Sequence, residues 1–129
     1  MQLPPYAHLL GLSVVPGEDP SLLVMPFSDA IVGRPGFLHG GAIGGLLEMA
    51  AIVALRKAID DEDVDQPHAR IKPINVTIDY MRGGRDKPTY GRATVTRLGK
   101  RVANVEALAW QDDPAKPISA ARMNYLVVR

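Results

Sequence analysis

Cysteine is absent from this chain of 129 residues. The protein therefore has no disulfide, no thiol nucleophile and no thiolate metal ligand. An excess of charge of one sign is also lacking, because 15 basic and 14 acidic residues leave a formal net charge of +1 at pH 7. This balance gives no overall field that recruits nucleic acid or an anionic membrane surface. Because the lack of cysteine is compatible with a reducing compartment, we expect a cytoplasmic protein.

Long hydrophobic runs are missing too. The most apolar segment, from Ala42 to Leu55, contains Glu48 and is shorter than the ~20 residues of a membrane-spanning helix. The N-terminal segment has neither a basic start nor an apolar core, so no signal peptide is expected. With 47% hydrophobic residues, the chain is predicted to form one soluble domain over residues 1–129, without a membrane partner.

The motifs of several enzyme classes do not occur in this sequence. There is no phosphate-binding Gly-Lys-Ser/Thr, no dinucleotide-binding glycine spacing and no Gly-x-Ser-x-Gly around a serine. The histidines His8, His39 and His68 lack metal-ligand spacing, so neither a metal nor a cofactor is expected. The acidic run over residues 60–63 lacks the calcium-loop pattern and is interpreted as solvated surface.

One long helix is predicted in the first half of the chain. From Gly41 to about Ala58, apolar residues recur at spacings of three and four, which places them on one helix face. The acidic run is predicted to end this helix. The elements predicted before it are a short helix over 4–10, two short extended segments at Ser13–Val15 and Leu22–Met25, and a loop over 33–36.

The second half of the chain is predicted to be all strand. Between Ile74 and Tyr80 the apolar period changes to two, which is typical of a half-buried strand. Three further strands are predicted at Thr89–Leu98, Val102–Trp110 and Ile118–Val128, with tight connections between them. Because strands and helices segregate along the chain, the predicted class is α+β, with a four-strand antiparallel meander.

His39, Gly40 and Gly41 open the long helix, and Glu48 lies within it. A buried charge is costly unless it is paired or used. The first N–H groups of a helix suit a negative or polarised oxygen, and glycine lets a ligand approach them closely. These groups and a carboxylate suit acyl hydrolysis, in which one holds the oxyanion and the other activates water or attacks. Their separation of roughly 10 Å suggests that they serve one pocket from different subunits.

A purely structural interpretation of the same residues stands beside this one. The glycines of the segment 40–45 would let two helices pack closely, and Glu48 would be a satisfied interior charge. In isolation, His39 is interpreted as a hydrogen-bonding residue at the helix start in preference to a general base.

The segment from Leu38 to Ala50 resembles the signature of hotdog-fold acyl-CoA thioesterases of the phenylacetate-pathway type. In that family, His-Gly-Gly begins the central helix and an acidic residue stands nine positions after the histidine, as Glu48 does here. The resemblance includes Gly36, the segment 79–82 and the segment 97–101. It implies a single hotdog domain, in which an antiparallel sheet wraps around a long central helix.

The resemblance also implies roles for individual residues. Gly40 N–H would polarise the thioester carbonyl, and Glu48 of the other subunit would be the general base or nucleophile. His39 would shape the turn and could touch the substrate. The substrate would be an acyl-CoA or aryl-CoA, and the enzyme a homodimer or a dimer of dimers. Residues implied near the nucleotide and phosphates of coenzyme A are Arg82, Gly83, Lys100 and Arg101, although basic residues at strand ends are also common as plain surface.

Two positions depart from the family pattern. Many relatives carry Asn or Gln six residues before the histidine, where this chain has Gly33, and some carry Thr or Ser where it has Ile52. Three functions therefore follow in order of preference. The first is acyl-CoA hydrolysis, the second is acyl-CoA binding without turnover, and the third is hydration or dehydration of an enoyl or hydroxyacyl thioester.

Overall fold

A long helix packs on one face of a six-stranded antiparallel sheet. The computed structural model describes residues 2–62 and 69–129. The elements are α1 (Pro5–Leu9), β1 (Ser13–Val14), β2 (Leu23–Met25), a 3-10 turn (Asp29–Ile31), β3 (Val32–Arg34), β4 (Phe37–Leu38), α2 (Gly40–Glu62), β5 (Arg70–Tyr80), β6 (Thr89–Leu98), β7 (Val102–Trp110) and β8 (Ser119–Val128). The predicted α+β class is confirmed.

The helix α2 supplies the centre of the core. Its fully buried side chains recur at helical spacing, and they are Leu46, Leu47, Ala50, Ala51, Leu55 and Ile59. The predicted end near Ala58 was one turn too early, because Ile59 continues the buried face and Lys57 pairs with Asp61 at 2.7 Å. Of the acidic run, Asp63 lies outside the described residues, as do Asp65 and His68.

The strand order of the sheet is β1-β2-β6-β7-β8-β5. Strands β6, β7 and β8 form the predicted meander, but the prediction of a four-strand meander was wrong for β5. Strand β5 pairs with β8, from Arg70 opposite Val128 to Tyr80 opposite Ser119. The segment after β5 makes no hairpin to β6, because the Met81 and Arg82 N–H groups donate to the Ile118 oxygen and direct the chain across the sheet end.

A second correction concerns residues 33–36, which were predicted to be a loop. Strands β3 and β4 form a small hairpin there, with Gly36 at a positive φ of 83° in its turn. His39 N–H donates to the Ile31 oxygen at 2.7 Å, and Leu38 N–H donates to the Gly84 oxygen at 2.9 Å. The hairpin thereby attaches the start of α2 to the chain segment that follows β5.

Strand β5 is an outer strand that the helix leaves largely uncovered. Within the described residues, β8 is its one sheet neighbour. Large apolar side chains along β5 and just after it remain about half exposed, at 54% for Ile74, 49% for Val76, 52% for Tyr80 and 49% for Met81. An outer strand of this length with apolar side chains presents a surface suited to pairing with another chain.

Candidate functional site

The start of α2 is organised by His39. Gly41 N–H donates to Nδ1 of this histidine at 2.8 Å, and the N–H groups of Ala42 and Ile43 donate to its carbonyl oxygen. The side chain thus satisfies a helix-start donor in the manner of an N-cap residue. Because Nδ1 accepts a hydrogen bond, the proton of the neutral ring is on Nε2. This geometry favours the interpretation of His39 as a helix-start residue.

The backbone N–H of Gly40 is a second hydrogen-bond donor at the start of α2. Among residues 2–62 and 69–129, its N–H has no hydrogen-bond acceptor, whereas the N–H of Gly41 is occupied by His39. The Tyr80 hydroxyl donates to the Gly40 oxygen at 2.9 Å, and a Cβ at position 40 would lie 3.4 Å from the tyrosine ring. The tyrosine on β5 therefore fixes the orientation of the first peptide of the helix.

A cavity of about 270 Å³ opens beside Gly40. It brings Gly40 together with Arg82 and Gly83, two of the residues for which the family resemblance implies coenzyme A binding. The lining residues are Leu38, Gly40, Ile43, Tyr80, Met81, Arg82, Gly83 and Gly84. Gly40 of the helix start and the basic residue Arg82 thus share one cavity within a single chain.

Lys100 and Arg101 lie elsewhere. They belong to the hairpin between β6 and β7, where Arg129 donates to the Lys100 oxygen at 3.2 Å. That hairpin follows the end of β6, whereas Arg82 lies beside the beginning of β6, at the opposite end of the sheet. A strand of this length separates the two ends by about 30 Å. Within one chain, these two basic groups do not share a pocket.

Glu48 is half-buried, and the expected full burial of its charge is not found. Its carboxylate forms no ion pair or hydrogen bond with any residue that the structure describes. The nearby Tyr125 is 1% exposed, and its hydroxyl donates to the Met123 sulfur at 3.3 Å. Burial, together with the negative charge of Glu48, raises the pKa of Tyr125. Glu48 is therefore an unpaired carboxylate and not a satisfied interior charge.

The contributions of Tyr80 and Tyr125 were missed by sequence reasoning. A signal for Tyr80 lay in the glycines of the helix, because Gly44 stands one turn after Gly40 on the side facing β5. A Cβ at position 44 would lie 3.0 Å from Ile78 Cδ1 and 3.4 Å from the Tyr80 hydroxyl. Tyr125 gave no signal beyond its place in an alternating strand.

Close packing accounts for another glycine of the same segment. A Cβ at Gly45 would lie 2.7 Å from Leu10 Cδ1 and 2.9 Å from Tyr6 Cε2. The structural interpretation of the glycines is thus supported where α2 meets the region of α1. Gly40 borders the cavity of the candidate site, whereas Gly41 and His39 line a separate cavity beside α1.

The two departures from the family pattern have physical reasons. A Cβ at Gly33 would lie 3.0 Å from the Cα of His39, so a larger residue there would have to displace the helix start. Ile52 is half-buried and packs against the core. Neither position supplies a polar group to the site.

Neither a metal site nor a membrane-spanning helix is present in residues 2–62 and 69–129. No group of three or more His, Asp and Glu side chains in the described part of the chain is arranged to hold a metal ion. No helix within residues 2–62 and 69–129 has the length and apolar character needed to cross a membrane.

The sequence of this chain is similar to those of known thioesterases. A model of the thioesterase superfamily matches residues 35–118. The medium/long-chain acyl-CoA thioesterase YigI of Escherichia coli strain K12 is 27% identical over 97 residues, which cover 70% of this chain and 62% of YigI. The match therefore spans less than two thirds of the relative's length.

Comparison with solved structures gives the fold. A mutant of the Pseudomonas aeruginosa thioesterase PA1618 has a TM-score of 0.77 and 26% identity, covering 95% of this chain and 85% of that one. The Bacillus halodurans protein BH2602, solved with CoA, has a TM-score of 0.78 and 18% identity, covering 96% and 78% of the two chains. The predicted hotdog fold and the resemblance to its thioesterases are confirmed.

Proposed function

Because this chain belongs to the thioesterase superfamily, we propose that it hydrolyses the thioester bond of an acyl-CoA. The observation that carries the proposal is that one helix carries both the Gly40 N–H and the Glu48 carboxylate, and neither has a hydrogen-bond partner among the described residues. The cavity that Gly40 shares with Arg82 supports a phosphate-bearing substrate. The activity named for YigI and the CoA bound by BH2602 are consistent with this substrate class.

The proposed reaction uses the two groups in different roles. Gly40 N–H donates to the thioester oxygen and stabilises the negative charge that develops when the carbonyl carbon is attacked. Glu48 either takes a proton from the attacking water or attacks the carbon itself to form an anhydride that water then opens. The carbon–sulfur bond breaks, coenzyme A leaves as the thiolate and takes up a proton, and the free acid remains. Coenzyme A enters as part of the substrate, and no other cofactor is required.

The spacing of these groups calls for a second copy of the chain. Glu48 stands eight residues after Gly40, which corresponds to about 12 Å along the helix axis. This is too far for both groups of one chain to act on one thioester carbon. We therefore propose a homodimer formed through β5, in which Gly40 of one copy and Glu48 of the other serve one site. A dimer of dimers remains a larger assembly compatible with this arrangement, and the cytoplasmic location stays a prediction.

Two other functions are less well supported. A hydratase or dehydratase needs a well-placed acid/base pair, and Nδ1 of His39 is already engaged by Gly41 N–H. Binding without turnover is the second candidate, because Gly33 and Ile52 supply no polar group to position water. These alternatives are separated from hydrolysis by their products.

The test is a thiol-release assay over acetyl, medium-chain, long-chain, phenylacetyl and hydroxybenzoyl CoA. We expect the wild type to release thiol from at least one ester. In Glu48→Gln the rate of thiol release should fall by a factor of ~10²–10⁴, while the ester still binds. The matched control is Glu106→Gln, which removes an exposed carboxylate on the opposite face of the sheet and should leave the rate unchanged.

Other results would contradict the proposal. Tight binding of CoA esters by the wild type without thiol release would identify a binding protein. Loss of enoyl absorbance without thiol release would identify a hydratase. Full activity in Glu48→Gln would remove the carboxylate from the mechanism.

A further inference from the structure

Two arginine side chains converge on one aromatic ring next to the candidate site. The guanidinium carbons of Arg34 and Arg85 lie 4.2 Å and 4.4 Å from the centroid of the Phe37 ring. Both arginines are exposed, and Phe37 is half-buried in β4. Such cation–π contacts hold a guanidinium in place while leaving its N–H donors free. We call these three residues the Phe37 cluster.

Neither guanidinium is paired with a carboxylate in the part of the chain that the structure describes. In the ranges that the structure describes, neither Arg34 nor Arg85 forms an ion pair or a side-chain hydrogen bond. The backbone of Arg85 is nevertheless held firmly, because its N–H donates to Oε1 of Gln111 and its oxygen accepts from Nε2 of the same side chain, both at 3.0 Å. Two positive charges are thus positioned by the fold, and no ion pair among residues 2–62 and 69–129 neutralises them.

The Phe37 cluster borders the cavity that contains Gly40. A Cβ at Gly83, which lines that cavity, would lie 2.7 Å from Cε1 of the Phe37 ring, so only glycine admits the ring there. Phe37 precedes Gly40 by three residues, which limits the separation of their Cα atoms to about 10 Å. The cluster therefore lies near the proposed oxyanion donor.

We propose that Arg34 and Arg85, stacked on Phe37, bind phosphate groups of the coenzyme A portion of the substrate. The proposal rests on the proposed acyl-CoA hydrolysis. In coenzyme A the pantetheine arm joins the thioester to the phosphates, so cations that border the cavity containing Gly40 can contact the same bound substrate. Guanidinium groups bind phosphate oxygens in pairs of parallel hydrogen bonds, so two preorganised arginines suit a phosphate ester. This assigns phosphate binding to residues different from Lys100 and Arg101.

The test compares substrates with and without phosphates. Thiol release is measured with an acyl-CoA and with the corresponding acyl-pantetheine, which has the same thioester and no phosphate. In Arg34→Gln/Arg85→Gln we expect KM for the acyl-CoA to rise ~10-fold or more, and kinetics with acyl-pantetheine to stay within about twofold of wild type. Phe37→Leu, which keeps an apolar side chain but loses the ring, should raise KM for acyl-CoA by a smaller factor.

Matched variants control for loss of surface charge. Arg122→Gln removes an exposed arginine on the far face of the sheet and should change neither KM. If Arg34→Gln/Arg85→Gln behaves like Arg122→Gln with acyl-CoA, the proposal is overturned. An equal rise of KM for acyl-pantetheine would also overturn it, since phosphate would then not be the group recognised. The proposal is also overturned if KM for acyl-CoA rises only in Lys100→Gln/Arg101→Gln, because the phosphates would then bind at the hairpin between β6 and β7.

A binding measurement separates this proposal from the proposed function. Titration calorimetry with free coenzyme A and with pantetheine needs no turnover. Should the wild type hydrolyse neither ester, a Kd for coenzyme A that rises ~10-fold in Arg34→Gln/Arg85→Gln would still support the Phe37 cluster. Inorganic phosphate is the third ligand. If the Phe37 cluster binds phosphate groups in general, inorganic phosphate should compete with coenzyme A. An unchanged Kd for coenzyme A would overturn the proposal.

Discussion

The hydroxyl of Tyr125 is buried beside a carboxylate, and both surroundings favour the protonated phenol. The side chain is 1% exposed, and the charge of Glu48 adds to the effect of burial in raising its pKa. In the unfolded chain the phenol titrates near its ordinary value of 10.0. The folded protein therefore holds this proton more tightly than the unfolded chain does.

This difference predicts a loss of stability at alkaline pH. Because the pKa is higher in the folded state, the stabilisation is fully present below pH 10 and is lost as the pH rises above that value. We expect the free energy of unfolding to fall by on the order of 1 kcal/mol per pH unit between about pH 10 and 11 from this group. Urea unfolding at a series of pH values measures it.

Tyr125→Phe provides the comparison for the alkaline transition. This variant cannot lose a phenolic proton at position 125, so its stability should decline less steeply above pH 10 than that of the wild type. Glu48→Gln should at first decline as steeply as the wild type but complete its decline at a lower pH, because it removes the charge and leaves the burial. Parallel curves for all three proteins would show that Tyr125 does not control the transition.

Single residues also show where sequence reasoning reached its limit. Gly40 and Glu48 could be singled out because a charge within an apolar helix and glycines at its start are visible as a pattern. The Phe37 cluster could not, since its arginines are 51 positions apart in the sequence and meet only because β4 lies against the segment after β5. The half-exposure of Glu48 was equally hidden, because periodicity gives the face of a residue but not what covers it.

Among the secondary structure elements, the limits of strands with a regular alternation of apolar residues could be predicted. The strands β6 and β7 have the predicted limits and β8 differs by one residue, because alternation marks strands clearly. The position of β5 was not predictable in this way. Its alternation is as clear as that of its neighbours, but a period of two does not say which strand it pairs with. That choice depends on the segment after Tyr80, whose bonds to Ile118 oxygen are tertiary.

The exposed apolar side chains of β5 lead to a prediction about assembly. Val76→Lys places a charge at the middle of the surface proposed to join two copies. We expect the molar mass of this variant, measured by light scattering coupled to gel filtration, to be at most half that of the wild type. The reason is that a buried unpaired charge opposes association. Its far-ultraviolet circular dichroism should remain that of the wild type, since the side chain is 49% exposed in the single chain.

An apolar residue elsewhere on the surface is the control for this experiment. Leu9 of α1 is 76% exposed, and Leu9→Lys should leave the assembly state unchanged. If the assembly dissociates in Leu9→Lys and is unchanged in Val76→Lys, the interface lies in the region of α1 and not at β5. A monomeric wild type at micromolar concentration would rule out a stable homodimer.

At the scale of the whole molecule, the proposed division of the site between two copies follows from the spacing of two groups on one helix. Gly40 and Glu48 belong to one rigid helix, and no movement of a loop can bring them to one carbon atom. Each can be inactivated separately. Glu48→Gln removes the carboxylate, and Gly40→Pro removes the N–H at the first position of the helix, where proline is tolerated. A Cβ there would be in ordinary contact with Tyr80, at 3.4 Å.

A heterodimer of these two variants tests the shared site directly. Each variant alone should be inactive, because every site of its homodimer lacks one group. In a heterodimer purified through two different tags, one site combines both defects, while the other combines an intact Gly40 from one copy with an intact Glu48 from the other. About half of the wild-type activity per dimer should therefore return. If each site were built within one chain, both sites of the heterodimer would keep a defect, and no activity would return.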